Sequence, residues 1–163
     1  MDGSRSFGPD RVAKTLALLL DTTLALDQLA WTLWRQIAPR SVVRKDAELA
    51  KLSGDYLAGS SEVSTDQVRH TLERTRKLIA SLLGAIGRAG AAYARERARL
   101  FDPDAIQASA GTEKKWNESL EFASWRKYVQ LCKEYGAEPF IEKGIQEAMA
   151  RAAENLIMGR PVG

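Results

Sequence analysis

The strongest constraint on the fold is the long run from Ser64 to Phe101. Val68, Leu72, Thr75, Ile79, Leu82, Ile86 and Tyr93 recur at steps of four and three, or their sum. That is the period of one helix face. Ser64 with Gln67 three residues on is a capping-box pattern at its start. Asp102-Pro103 follows Phe101 and opens a new helix. At 1.5 Å per residue the predicted helix, about 64–101, extends roughly 50 Å. Gly84, Gly87 and Gly90 lie in it at every third place. Each costs about 1 kcal/mol relative to alanine, and close helix packing is the usual offset. The spacing therefore predicts a helix crossing near Gly87, or a bend there.

A rod of this length needs helical partners, and the rest of the chain supplies them. Pro9-Asp10 opens a first helix with Asp10 as its N-cap, running to about Ile37 before Pro39 stops it. Val12, Leu16, Leu19, Leu20, Thr23, Leu26, Ala30, Leu33 and Ile37 keep helical spacing. Trp31, Trp34, Leu18, Leu24 and Leu29 widen the apolar face almost all round, so this helix is expected to be the most buried. Asp46 is placed to cap a short helix to Tyr56. Asp102-Pro103-Asp104 opens another short one, which the small residues Ala108 to Thr112 should end. A helix from about Glu113 to Tyr135 should bury Trp116, Leu120, Phe122, Trp125, Tyr128, Val129 and Cys132, with Gly136 as its stop. Glu138-Pro139 opens the last, with Phe140, Ile141, Ile145, Ala148, Met149, Ala152 and Leu156 inward, closed by Gly159-Arg160-Pro161. No alternating run rich in Val, Ile, Thr and aromatics predicts a strand. The expected fold is all-α: a bundle of about four long helices plus one or two short ones. Residues 1–8 are read as a disordered leader and 9–163 as a single helical domain.

Charge adds little. The net charge is +3. Residues 35–99 carry 13 bases and 7 acids, whereas residues 100–163 carry 8 and 10, so the middle third is basic. Interspersed acids favour a solvated face over a nucleic-acid patch. Cys132 is the single cysteine; no intrachain disulfide can form, which suits a reducing compartment. Val12 to Leu26 is apolar but interrupted by Lys14, Asp21 and three threonines, too short and polar for a membrane span. Acids in and beyond the leader argue against a signal peptide. The chain is read as cytoplasmic.

No catalytic constellation emerges. His70 is the only histidine, and with Asp66 and Glu73 alone it makes a poor zinc site. Cys132 lies on an apolar helix side without a nearby histidine, the setting of a buried, inert thiol. Asp102 and Asp104 are explained by helix-start chemistry. The three glycines sit inside a helical pattern rather than between a strand and a helix, so they form no phosphate cradle. No metal, cofactor or catalytic residue is expected. The basic residues Arg69, Arg76, Lys77, Arg88, Arg95, Arg97 and Arg99, with Arg35, Arg40, Arg44 and Lys45, could form a patch for an acidic partner.

Three segments together resemble one family. The first is Leu16-Ala17-Leu18-Leu19-Leu20 through Leu24, Leu33 and Arg35. The second is His70 with Leu78-Ile79-Ala80-Ser81-Leu82-Leu83, then Leu100-Phe101-Asp102-Pro103-Asp104-Ala105-Ile106. The third is Trp125-Arg126-Lys127-Tyr128 with Tyr135 and Phe140. The order of these segments is similar to the C-terminal helical domain of type VI secretion-associated proteins that carry a forkhead-associated (FHA) domain, over roughly residues 12–157. The family's Asn-Pro-Leu-Lys-Phe-like stretch has no counterpart in Arg40 to Leu49, and the phosphothreonine-reading domain is not in this sequence.

The resemblance implies a bacterial, non-enzymatic accessory protein that docks other proteins in a type VI secretion apparatus. Its expected partners are proteins, secretion components among them; self-association is a further expectation. The first candidates for the contact surface are Arg88, Arg95 and Arg99, with any tryptophan that proves exposed. The alternative is a helical nucleic-acid-associated regulator.

Overall fold

The computed structural model describes residues 8–160, so the leader expected over 1–8 falls outside it except for Gly8, and so does Pro161. Among the described residues there are six helices and no strand: α1 Pro9–Ile37, α2 Leu49–Leu57, α3 Thr65–Leu100, α4 Pro103–Glu113, α5 Leu120–Tyr135 and α6 Glu138–Met158. Four are long and two short, and α3 is the longest at 36 residues. The chain divides into two compact units, with the division inside α3 after Ile79.

The first unit holds α1, α2 and the opening of α3. The capping box forms as the sequence predicts: Ser64 N–H donates to Gln67 Oε1 at 2.7 Å, and Gln67 N–H to Ser64 Oγ at 3.2 Å. Its buried apolar residues include Trp31, Trp34, Leu49 and Leu78. The strand-free stretch between α1 and α2 is tied down by side chains. Trp34 Nε1 donates to the Val43 carbonyl at 3.2 Å, Lys45 Nζ lies 2.6 Å from Asp27 Oδ2, and Arg74 reaches the Arg44 carbonyl and Asp46. Asp46 therefore pairs with Arg74 instead of capping α2. That helix begins at Leu49 with Glu48 as an N-cap that makes no side-chain bond. Asp10 likewise is not a cap: Gly8 holds that place, with Pro9 leading the helix and Asp10 in its first turn.

The expectation for α1 itself is overturned. Only Asp27, Ala30, Trp31 and Trp34 are buried in it. Leu16, Leu18, Leu19 and Leu29 are 59–68% exposed. An apolar composition all round a helix demands cover, but nothing in the first unit reaches beyond the helix's C-terminal half.

The second unit holds the remainder of α3 with α4, α5 and α6. Its core is built on small residues: Ala85, Ala89, Ala110, Ala123, Ala148, Ala152 and Ala153, with Leu82 and Ile106. Small side chains let helix backbones come close, and of the three glycines the spacing singled out only Gly84 serves this. Gly87 and Gly90 face open space. A Cβ on Gly84 would sit 3.0 Å from Leu156 Cδ1, and one on Gly144 would sit 2.6 Å from the Tyr93 ring. The close approach is between α3 and α6, through one glycine on each. The buried stripe of α3 accordingly runs through Thr75, Leu78, Leu82, Ala85 and Ala89, leaving Leu72 and Ile86 exposed.

Two further boundaries shift. Helix α4 runs through Ala108–Thr112 to Glu113, because alanine is the best helix former and Asp102 caps the start, its Oδ1 accepting from Asp104 N at 2.8 Å and Ala105 N at 3.2 Å. Helix α5 then begins only at Leu120, where Ser119 Oγ accepts from Phe122 N–H at 3.2 Å. In α6, Phe140 is 51% and Ile145 38% exposed, and Ala148, Ala152 and Ala153 form the inward face. The helix ends as expected at Gly159, whose φ of 69° is the left-handed cap that glycine adopts without strain.

Candidate protein-binding surface

Trp116 and Trp125 do not fill the core. Trp116 is 96% exposed, on the connection between α4 and α5, and Trp125 is 62% exposed on α5. Phe122 is 62% exposed one turn away, and Leu120 and Tyr128 are each 40% exposed. Spacing alone cannot show this, since a helical apolar stripe looks alike whether it faces a core or a partner. The signal available was the density of aromatics itself: Trp116, Phe122, Trp125 and Tyr128 within one segment exceed what the small alanine-lined core of this unit can take in.

Ring contacts hold two members of the patch, Trp125 and Tyr128. Trp125 and Tyr128 stack at 5.7 Å between ring centroids, and Tyr128 meets Phe101 edge-on at 6.1 Å. The Arg97 guanidinium lies 4.8 Å from the Phe101 ring centre and 5.8 Å from that of Tyr93, a favourable cation–ring arrangement. A shallow depression beside these rings is lined by Phe122, Trp125, Arg126, Val129, Lys133 and Glu134.

The connection bearing Trp116 is stapled at both ends. Glu118 accepts two parallel bonds from Arg126, from Nε and Nη2, each at 3.0 Å. Its side chain is only 8% exposed. Lys127 Nζ lies 2.6 Å from Glu113 Oε1. The Arg126 bond, helped by the Lys115 amide, holds the Glu118 carboxyl below the usual glutamate range, and the Lys127 bond does the same for Glu113. Arg126 is pushed up in return. A depressed carboxylate favours the folded arrangement above its unfolded pKa, near 4.3, and that contribution is lost as pH falls through the lower folded value. Acidification below about pH 4 should therefore raise amide hydrogen exchange over residues 114–119 before the rest of the second unit. Glu118→Gln should show the same rise at neutral pH. Equal exchange in the two proteins at neutral pH would refute this account of the staple.

The sequence-derived candidates take different places. Arg88, Arg95 and Arg99 are all exposed on α3. The arginine brought to the aromatic ladder is Arg97. His70 is exposed, beside Trp31, Thr71 and Arg74 of the first unit. Cys132 is half-buried rather than buried. The Cys132 side chain is the main influence that pushes the Tyr128 phenol up. Asp102 is engaged in capping.

A second concavity belongs to the first unit. Asp27, Trp31, Trp34, Arg35, Lys45 and Glu48 are among its lining residues. Lys45 and Asp27 satisfy each other there. Compared with protein-family models, with curated proteins and with solved structures, the chain matches none.

Proposed function

We propose that this chain is a non-enzymatic docking domain that serves a bacterial type VI secretion apparatus from the cytoplasmic side. The observation that carries the docking half of the reading is the solvent-facing patch of Phe122, Trp125 and Tyr128 on α5, in which Trp125 and Tyr128 stack, with the exposed Trp116 on the connection before it. Exposed tryptophan and tyrosine held in one conformation are the usual energetic centre of a protein interface, and arginines suit its rim. The secretion half rests on the resemblance of the opening leucine helix, the Phe101-Asp102-Pro103 turn and the Trp125-x-x-Tyr128 helix to the FHA-associated domain.

The test is co-purification of the full chain with sheath and baseplate proteins of such an apparatus. Trp116→Ala with Trp125→Ala should weaken capture at least thirtyfold, since two central aromatics are worth roughly 2 kcal/mol or more together. Arg88→Glu, Arg95→Glu and Arg99→Glu together should act on the association rate and its salt dependence. Failure to recover any secretion component would refute the reading.

The exposed tryptophans also give the nucleic-acid alternative a physical basis, because bases stack on such rings. Acids speak against it: Glu96, Glu113 and Glu118 already engage Arg151, Lys127 and Arg126. Binding to single-stranded DNA or RNA that falls steeply with salt would favour that alternative.

A further inference from the structure

Helix α1 carries a second, independent surface. Val12, Leu16, Leu19, Leu26 and Leu33 are joined by Thr23, Ala30 and Ile37 into steps of four and three without a break. The mean step of 3.5 is that of a coiled-coil seam rather than of a globular helix face. The opposite side has the matching pattern: Lys14, Asp21, Gln28 and Arg35 recur every seventh residue, and all four are exposed. Those are the outermost positions of a heptad whose seam is apolar.

The seam is open. Val12 and Leu33 are 40% exposed, Leu26 47%, and Leu16 and Leu19 about 60%. Leu29 beside it is 65% exposed. The first unit grips the C-terminal half of α1 through Asp27, Ala30, Trp31 and Trp34, so it covers the seam at Ala30. The seam stays bare over Val12 to Leu26, apart from the half-buried Thr23.

We propose that α1 pairs with α1 of a second copy as a two-stranded coiled coil, tightest over Val12 to Leu26. Three observations select this occupant. A membrane span is ruled out by the anchoring: α1 is long and apolar enough by composition, but Asp27 in its middle is tied to Lys45 and Thr75. A lipid surface would want a basic polar face, and α1 carries three bases, Arg11, Lys14 and Arg35, against three acids, Asp10, Asp21 and Asp27. The positions flanking the seam, where charges choose between partners, are uncharged at Thr15, Leu20, Thr22, Leu29 and Gln36; Asp27 is already paired with Lys45. Nothing there repels an identical helix or selects a different one. This surface is built from other residues than the aromatic patch, so the pairing stands or falls apart from the docking reading.

Light scattering and sedimentation on the full chain test it. The mass should rise toward twice 18.0 kDa with concentration. Leu16→Glu with Leu19→Glu should hold it at 18.0 kDa throughout, with unchanged helical circular dichroism. Leu16→Ala with Leu19→Ala, which keeps helix-favouring residues, should weaken pairing at least tenfold. Gln28→Glu on the far side should pair as the native chain does. A native chain that stays monomeric at every concentration overturns the proposal. So does a dimer that survives both seam variants. A monomer that sediments with phosphatidylserine vesicles, and loses this in the glutamate variant, would assign the seam to lipid instead.

Discussion

Replacing Trp34 with alanine should cost the first unit about 4 kcal/mol, within the 3–5 kcal/mol seen for buried aromatic truncations. Trp34 is 1% exposed and the largest fully buried side chain among the described residues. Two effects contribute, and their sizes differ. Removing the ring forfeits about 200 Å² of buried apolar surface and leaves a cavity that neighbouring side chains fill only in part. Removing the indole N–H leaves the Val43 carbonyl without its 3.2 Å donor, worth about 1 kcal/mol. The apolar term wins. Trp34→Phe should therefore retain most of the stability and lose only about 1–2 kcal/mol. Urea unfolding followed by tryptophan emission in a Trp116→Phe, Trp125→Phe background reads the first unit through Trp31, the one tryptophan left in both Trp34 variants. If alanine and phenylalanine were equally destabilising, the hydrogen bond to the 40–46 stretch would outweigh the packing, contrary to this argument.

Much of this core was legible in the sequence, for reasons that also explain what was not. The all-α class, the length of α3, the capping box at Ser64 and Gln67, the Asp102-Pro103 start and the Gly159 end all follow from local chemistry. Each depends on residues within one or two turns of each other. Helical periodicity carried less. It marks a face as apolar without saying what covers it. Trp31 and Trp34 share that signal with Leu16 and Leu19, yet the first pair is buried and the second is not. In α5 the same ambiguity placed Phe122 and Trp125 inside. The glycine spacing was right in part: Gly84, Gly87 and Gly90 match one packing pattern, but the close approaches occur at Gly84 and Gly144, and the partners that choose them, Leu156 and Tyr93, lie some 50 to 70 positions away in the chain. Ion pairs between a helix and a connecting stretch, Arg126 with Glu118 and Lys45 with Asp27, were invisible because periodicity does not show which way a connection folds back. The candidate surface was legible only as chemistry: arginines and aromatics were named, and the fold decided which of them face solvent.

Asp27 gives the second large effect. A carboxylate in the middle of a leucine-rich helix is costly to bury alone, and it is 3% exposed. Oδ2 lies 2.6 Å from Lys45 Nζ and Oδ1 accepts from Thr75 Oγ1 at 2.6 Å. One side chain thus ties α1 to α3 and to the stretch before α2. Breaking a fully buried pair from one side costs about 3–5 kcal/mol. The Lys45 side chain is 30% exposed and can turn toward water, and Thr75 keeps a second acceptor in the Thr71 carbonyl. Asp27→Ala should therefore destabilise by about 2–3 kcal/mol, less than the fully buried case. Asp27→Asn, which keeps an acceptor for Thr75 and loses only the charge, should cost roughly half as much. Asp27→Leu combined with Lys45→Met should recover most of the loss, because apolar residues of similar volume replace a buried pair at little cost. The double-mutant cycle between positions 27 and 45 should give a coupling of at least about 1 kcal/mol. Strict additivity would mean that Lys45 merely lies near the carboxylate, and that Thr75 alone accounts for its burial.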